Sequence, residues 1–318
     1  VIMNKTELTF HILVNKIAGN GHAQKVFNQV TRLLTKHKYL FDFQNSNYAG
    51  ALITLAREYG DQHHNKNEIL LLIGGDGSLN EVLNGIKRSQ NPATPFAYLP
   101  AGTGNDFGRA AKLTTDPEVL LKNLQHHLYP VSIDCGCAKL ISHPDSNYYF
   151  ANSFGTGFDA CVIHYSNKSV LKKILNKLSM GKLIYASKIL QSLRRQDTFK
   201  VTAQAESKIL QYDDAFLVTT TNHPYLGGGI PLFPRANVTS HQLDTIIIEK
   251  FSIPKLLKLL FNLLKDGSHI YDPQFHYIEA EKITVATDKK EFVQIDGEDV
   301  QLDNFTVEFN IKQFNLFK

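Results

Sequence analysis

The chain has 318 residues, 43% hydrophobic and 20% charged, which suits two globular domains and excludes a disordered polymer. No apolar run approaches the ~20 residues of a bilayer span, and Val1-Ile2-Met3-Asn4-Lys5 lacks a secretory leader's basic and apolar regions. Three cysteines, Cys135, Cys137 and Cys161, are too few for a disulfide framework or a four-cysteine zinc site, so a reducing cytoplasm is the expected setting.

The formal net charge of +4 is local: residues 166–196 hold eight of the 34 basic residues and none of the 30 acidic ones. That pattern argues for one anionic partner surface and against nucleic-acid binding.

Strand and helix patterns alternate through the first ~130 residues. Leu8 to Val14 predicts a buried strand, followed by a glycine-containing turn and a helix from about His22 to Lys36. Ile69 to Ile73 predicts a second strand, with a helix running through Gly85. Phe96 to Leu99 predicts a third, with a helix from about Asn105 to Ala111. Uninterrupted apolar strands of this kind belong to a parallel sheet covered on both faces.

After about Val131 strands dominate. Tyr148–Ala151, Phe199–Ala205, Ala215–Thr221, Thr245–Phe251, Lys282–Ala286 and Glu291–Ile295 are expected strands, many alternating in polarity. The fold class expected is an open parallel α/β domain followed by an antiparallel, β-sandwich-like domain with a helical insertion at 167–195.

Each α/β unit places a loop at the carboxyl end of its strand, the edge where open α/β sheets bind ligands. The loops are Asn15-Lys16-Ile17-Ala18-Gly19-Asn20-Gly21, Gly74-Gly75-Asp76-Gly77-Ser78, and Pro100-Ala101-Gly102-Thr103-Gly104-Asn105-Asp106. Glycines let backbone N–H groups approach an anion, and the following helix N-termini favour negative charge. Three such loops together fit a polyphosphate. Asp76 would repel that polyphosphate unless a cation lay between, so Mg²⁺ bound to ATP is expected at Asp76. Ser78 and Thr103 offer hydroxyl donors, and Asn80 and Glu81 stand where they reach the ribose or order the loop. A P-loop, a dinucleotide fingerprint and the protein-kinase signatures are all absent.

At these residues the sequence resembles the diacylglycerol kinase catalytic-domain family, most closely its soluble bacterial lipid kinases. Gly74 through Gly85 matches the Gly-Gly-Asp-Gly-Ser/Thr signature with its Asn-Glu-Val and later Asn-Gly. Pro100 to Arg109 matches Pro-x-Gly-Thr-x-Asn-Asp-Phe-x-Arg, and Asn15 to Gly19 matches Asn-Pro-x-Ser-Gly with Lys16 for proline and Ala18 for serine. Asn152 to Ala160, Gly227-Gly228-Gly229 with Leu243-Asp244, and Asp296-Gly297-Glu298 extend the likeness through the second half.

The resemblance implies an ATP- and Mg²⁺-dependent kinase whose acceptor is a primary hydroxyl of a membrane lipid, diacylglycerol first among them. It also implies an active site between the domains, and a last strand near Phe305 to Ile311 that returns to the first. The domains are then 1–131 with 304–318, and 132–303. Glu298 is implied as general base, with Asp296 placing metal or substrate. A structural Mg²⁺ known in some members maps to Asn237, Ser240 and Gln242. Ser240 and His241 stand there in place of Asp and Gly, so that site is expected weak or empty.

Basic residues from Lys168 to Arg195 alternate with apolar ones at helical spacing, which fits either an anionic membrane surface or an ordinary surface helix. Pro254 to Phe261 is a second, lesser segment of this kind. Peripheral membrane association of a cytoplasmic enzyme is the expectation, and homodimer formation is left open. Competing readings are an NAD-kinase-like small-molecule kinase and a non-catalytic nucleotide-binding membrane regulator.

Overall fold

The computed structural model describes residues 8–62, 65–126, 129–142, 147–167, 197–301 and 305–318. The basic segment singled out in the sequence therefore lies outside the described residues.

The first half is built on four parallel strands: β1 (Thr9–Val14), β2 (Leu40–Asn45), β3 (Glu68–Gly74) and β4 (Phe96–Pro100), ordered β4-β3-β1-β2. β3 reads Glu-Ile-Leu-Leu-Leu-Ile-Gly because both of its faces are covered. Ile69, Leu71 and Ile73 pack with Phe10, Ile12, Ala97 and Leu99 on one face, under α1 (Ala18–Lys36) and α5 (Pro117–His126). Leu70 and Leu72 pack with Phe96 and Tyr98 on the other, under α2 (Ala51–Gly60) and α3 (Asp76–Lys87). Each such fully buried side chain contributes roughly 1.5–3 kcal/mol relative to exposure. α4 (Asp106–Ala110) is a short helix after β4.

The second half is antiparallel. It comprises β5 (Val131–Leu140), β6 (Asn147–Phe150), β7 (Ser153–Gly157), β8 (Phe199–Ala205), β9 (Lys208–Thr221), β10 (Leu243–Glu249), β11 (Phe275–Ala280), β12 (Lys282–Thr287), β13 (Phe292–Ile295), β14 (Glu298–Gln301) and β15 (Thr306–Phe317). Among the described residues, α-helices α6 (Phe158–Asn167) and α7 (Ile253–Lys265) accompany them. Ser252 in an extended conformation and Pro254 in the first turn start α7, where a missing N–H costs nothing.

The halves are stitched by the last strand. β15 runs antiparallel to β5 along ten residue pairs, and to β12, then pairs parallel with β4 through Leu316 and Phe317. It is longer than the Phe305 to Ile311 segment expected from the sequence. The result is one mixed sheet with a parallel α/β end and an antiparallel end, as the fold class anticipated.

Candidate active site

The three glycine-rich loops meet at the carboxyl ends of β1, β3 and β4. Contact between their backbones accounts for Gly19, Gly75 and Gly102. A Cβ on Gly102 would lie 2.5 Å from the Cα of Gly75, and one on Gly19, whose φ is +60°, would lie 2.5 Å from the Ala101 carbonyl oxygen. Side chains there would push the loops apart. Asn105 closes its own loop: its Oδ1 accepts from the Gly102 N–H at 2.9 Å and its Nδ2 donates to the Gly102 carbonyl. Asn15 Nδ2 donates to Ser78 Oγ at 3.3 Å, joining the first loop to the second. Lys16, in place of the family's proline, is held by its ammonium between the rings of Phe27 and Phe43, at 4.8 and 4.9 Å. Gly77 and Thr103 are exposed at the loop tips.

Asp76 is the first residue of α3, where a negative charge meets the helix N-terminus. Its carboxylate accepts long bonds of 3.3 and 3.4 Å from the N–H groups of Asp106 and Phe107. Desolvation first, and the nearby Asp106 charge second, raise its pKa. A recessed carboxylate with weakly bound oxygens and a like charge beside it gains by holding a cation, so the residues fit Mg²⁺ carried in with nucleotide phosphates.

Other acidic and amide residues of the motifs are occupied by the protein itself. Asp106 accepts from Arg109 at 2.6 Å through Oδ1 and from the Gly228 N–H at 2.7 Å through Oδ2. It thereby pins the second half's triple-glycine loop over the first half's third loop, while Arg109 lies over the Tyr225 ring. Glu81 accepts from the Gly50 and Leu52 N–H groups at 2.9 and 3.0 Å, satisfying the start of α2. Both of its carboxylate oxygens are thereby spent on the N-terminus of α2. Asn80 donates to Asp296 at 2.8 Å and to the Tyr149 carbonyl, and the next turn's Asn84 binds the same carbonyl and the Tyr149 N–H. Both asparagines thus tie α3 to β6.

Asp296 is the centre of that tie. Its two oxygens accept from the N–H groups of Ala151, Asn152 and Ser153 at 2.8–2.9 Å, besides Asn80. Desolvation nevertheless pushes its carboxyl up to about 6, the hydrogen bonds only partly offsetting it. With four donors on it, Asp296 has little capacity left for a metal; its geometry is that of a clamp that sets the 296–298 turn. Glu298 opens β14 opposite Ile295, with its side chain exposed. It follows Gly297, which lines the cavity described next; Glu298 itself is not among the lining residues.

That cavity, about 480 Å³, opens from the loops into the second half. Asp76, Gly104, Asp106 and Asp296 form its polar end. Phe158, Phe216, Leu226, Ile248, Leu256 and Leu263 are among its apolar walls, contributed by α6, β9, β10, α7 and the triple-glycine loop. Asp159, just before Ala160 in the motif, also lines it; Thr219, Gln294 and the Ala160 N–H donate to its carboxylate. Desolvation pushes this carboxyl too up to about 6. Asp159 belongs to the Asn152 to Ala160 motif, and nothing in its sequence position alone marks a role for it.

The turn at Asn237, Ser240 and Gln242 does not fit a magnesium ion. Ser240 Oγ donates to the Asn237 carbonyl, and Asn237 Oδ1 is taken by Thr239. The neighbouring buried carboxylate, Asp134, is met by the His241 N–H at 2.7 Å, by its ring at 2.9 Å and by Gln313. Donors of N–H stand where a cation would need oxygens.

Residues 9–135 match the family described as Diacylglycerol kinase catalytic domain, and residues 152–315 match the YegS C-terminal NAD kinase beta sandwich-like domain. YtlR of Bacillus subtilis, whose name specifies a lipid kinase without an acceptor, is 26% identical over 90% of this chain and 92% of its own. The Diacylglycerol kinase of Bacillus subtilis is 28% identical over 90% and 88% of the two chains. A crystal structure of a Bacillus anthracis diacylglycerol kinase shares the fold, with a TM-score of 0.65 at 18% identity over 99% and 98% of the two chains. Yeast NADH kinase shares it more distantly, with a TM-score of 0.52 at 9% identity over 98% and 83%. The chain belongs to the diacylglycerol kinase catalytic-domain family.

Proposed function

We propose that the protein transfers the γ-phosphate of ATP to a primary hydroxyl of a membrane lipid, diacylglycerol being the acceptor best matched to the site. The observation that carries this reading is the junction of an acidic, loop-lined end with an apolar cavity of about 480 Å³. A nucleotide needs the first and an acyl chain needs the second. A water-soluble dinucleotide acceptor would leave those apolar walls against polar surface, which disfavours the NAD-kinase alternative.

In this reading the loops around Gly19, Gly75 and Gly102 present N–H groups to the phosphates, with Asn15, Ser78 and Thr103 beside them. Asp76 would hold Mg²⁺, which would neutralise phosphate charge. The residues of 1–131 with 304–318 handle nucleotide, and those of 132–303 handle lipid. Glu298, at the end of the clamped turn, takes the acceptor's hydroxyl proton. The acceptor oxygen then bonds to the γ-phosphorus, the bond to the bridging oxygen breaks, and ADP leaves.

α7 gives the enzyme a place to meet its bilayer. Leu256 and Leu263 line the cavity, while Phe261 and Leu264 are 63% and 75% exposed beside Lys258 and Lys265. The helix sequence Ile253–Lys265 has no acidic residue. A helix that walls the lipid cavity on one side and shows apolar and basic residues on the other suits an anionic membrane surface. No helix among the described residues is long and apolar enough to cross a membrane.

The test is a kinase assay offering diacylglycerol in mixed micelles, or NAD in solution, to the same preparation with Mg²⁺ and ATP. Phosphatidic acid as product supports the proposal, and phosphorylation of NAD alone overturns it.

A further inference from the structure

Asn152 stands just before β7 and lines the cavity, yet it is only 9% exposed. Its backbone is fixed on both sides: its N–H donates to Asp296, and its carbonyl accepts from Thr221. Its side-chain oxygen lies 3.0 Å from Nε2 of His223, a residue with no solvent exposure.

The chemistry of His223 decides which way the Asn152 amide faces. His223 Nδ1 lies 3.2 Å from the Tyr225 backbone nitrogen, which can only donate, so Nδ1 carries a lone pair. Burial pushes the ring pKa down to about 3, so the ring is neutral and its one N–H sits on Nε2. That N–H requires an acceptor, so the Asn152 carbonyl oxygen must face the histidine and the NH₂ must face away. Phe107 packs edge-on against the same ring and holds it in place.

The Asn152 NH₂ has no hydrogen-bond partner among the described residues. Gln294, the other amide lining the cavity, is saturated: its Nε2 donates to Ser153 and Asp159, and its Oε1 accepts from Gly297. A buried donor locked in orientation and left unpaired is costly unless a ligand completes it.

We infer that the Asn152 NH₂ donates to an oxygen of the lipid acceptor, and so acts as a specificity-determining residue for an oxygen-bearing head carried on an acyl tail. The inference rests on the lipid-kinase reading above. The same donor chemistry would serve a phosphate oxygen of the nucleotide. A neutral lipid oxygen is favoured because the Asn152 backbone is bonded to Asp296 and Asp159 lines the same cavity, and neither carboxyl is assigned a cation. None of the three phosphate loops, moreover, supplies a partner for the Asn152 side chain.

The test uses Asn152→Asp, which keeps an acceptor for His223 and replaces the donor with a carboxylate oxygen. The expected result is a KM for diacylglycerol raised roughly tenfold or more, equivalent to about 1.4 kcal/mol, with KM for ATP within about twofold. An unchanged lipid KM, or a rise confined to the ATP KM, overturns the assignment. If that variant does not fold, His223→Gln, whose amide N–H still holds Asn152, should keep the lipid KM, while His223→Leu should raise it. Equal lipid KM values in those two variants overturn the assignment as well. Calorimetric binding of dioctanoylglycerol separates this inference from the reading beneath it. A wild type that binds the lipid without phosphorylating it contradicts the kinase reading, and weaker binding by Asn152→Asp then still supports the donor. A wild type that neither binds nor phosphorylates it overturns both.

Discussion

Replacing Asp296 by asparagine tests whether the clamp is a charged, desolvated acceptor. The two carboxylate oxygens take four donors, two on each. An amide keeps one oxygen and turns an NH₂ toward two of those donors. Two buried donors left unpaired cost about 2–6 kcal/mol. An offset exists, because the native carboxyl is raised from 3.8 to about 6 and its ionised form is therefore penalised. The sign follows from linkage. With the folded pKa above the unfolded one, the folded state binds more protons between these values, so stability falls as pH rises through that window. At pH 7 the penalty is about 3 kcal/mol, and at pH 5 about 2 kcal/mol. The asparagine variant cannot titrate at this position and loses the dependence. The Asp296→Asn destabilisation should therefore be larger at pH 5 than at pH 7 by about 1 kcal/mol. Urea unfolding of both proteins at the two pH values measures it. A destabilisation that is independent of pH, or larger at pH 7, would refute the reasoning.

Asp76→Ala should reduce Mg²⁺-dependent turnover by roughly a hundredfold or more while leaving the unfolding midpoint within a few degrees, because the residue's loop bonds are long. An undiminished rate would remove Asp76 from cation binding. Glu298→Gln should lower kcat by roughly 10²–10⁴-fold with ATP affinity preserved; near-normal kcat in steady-state assays would return the base role to another group, with Asp159 the first to examine. The double variant Phe261→Glu with Leu264→Glu should no longer float with phosphatidylglycerol vesicles at low salt, whereas the parent should. Flotation unaffected by the change would show that α7 is not the contact.

The glycine-rich loops were legible because their chemistry is local: strand, glycines, helix, within a dozen residues. The parallel sheet was legible for the same reason, in runs such as Ile69 to Ile73. What those loops do with each side chain was not. Asn80 meets Asp296 across 216 positions, and Asp106 meets Gly228 across 122. No spacing rule reports that these polar groups are already spent on the protein. β2 escaped detection because Leu40–Asn45 is an edge strand with no buried residue, so it lacks an apolar run. β7, reading Ser-Phe-Gly-Thr-Gly, looks like a turn and becomes a strand only because β9 and β13 flank it. The orientation of Asn152 lay furthest from view, since it depends on the protonation of a histidine 71 residues away.

Incubation of the protein with labelled ATP, Mg²⁺ and a total bacterial lipid extract, followed by mass spectrometry of the organic phase, addresses the whole account at once. Label should appear on a lipid whose only change is one phosphate on a former hydroxyl, and should disappear with Asp76→Ala. A wild type that leaves every lipid unlabelled, while phosphorylating a soluble acceptor in the aqueous phase, would contradict it.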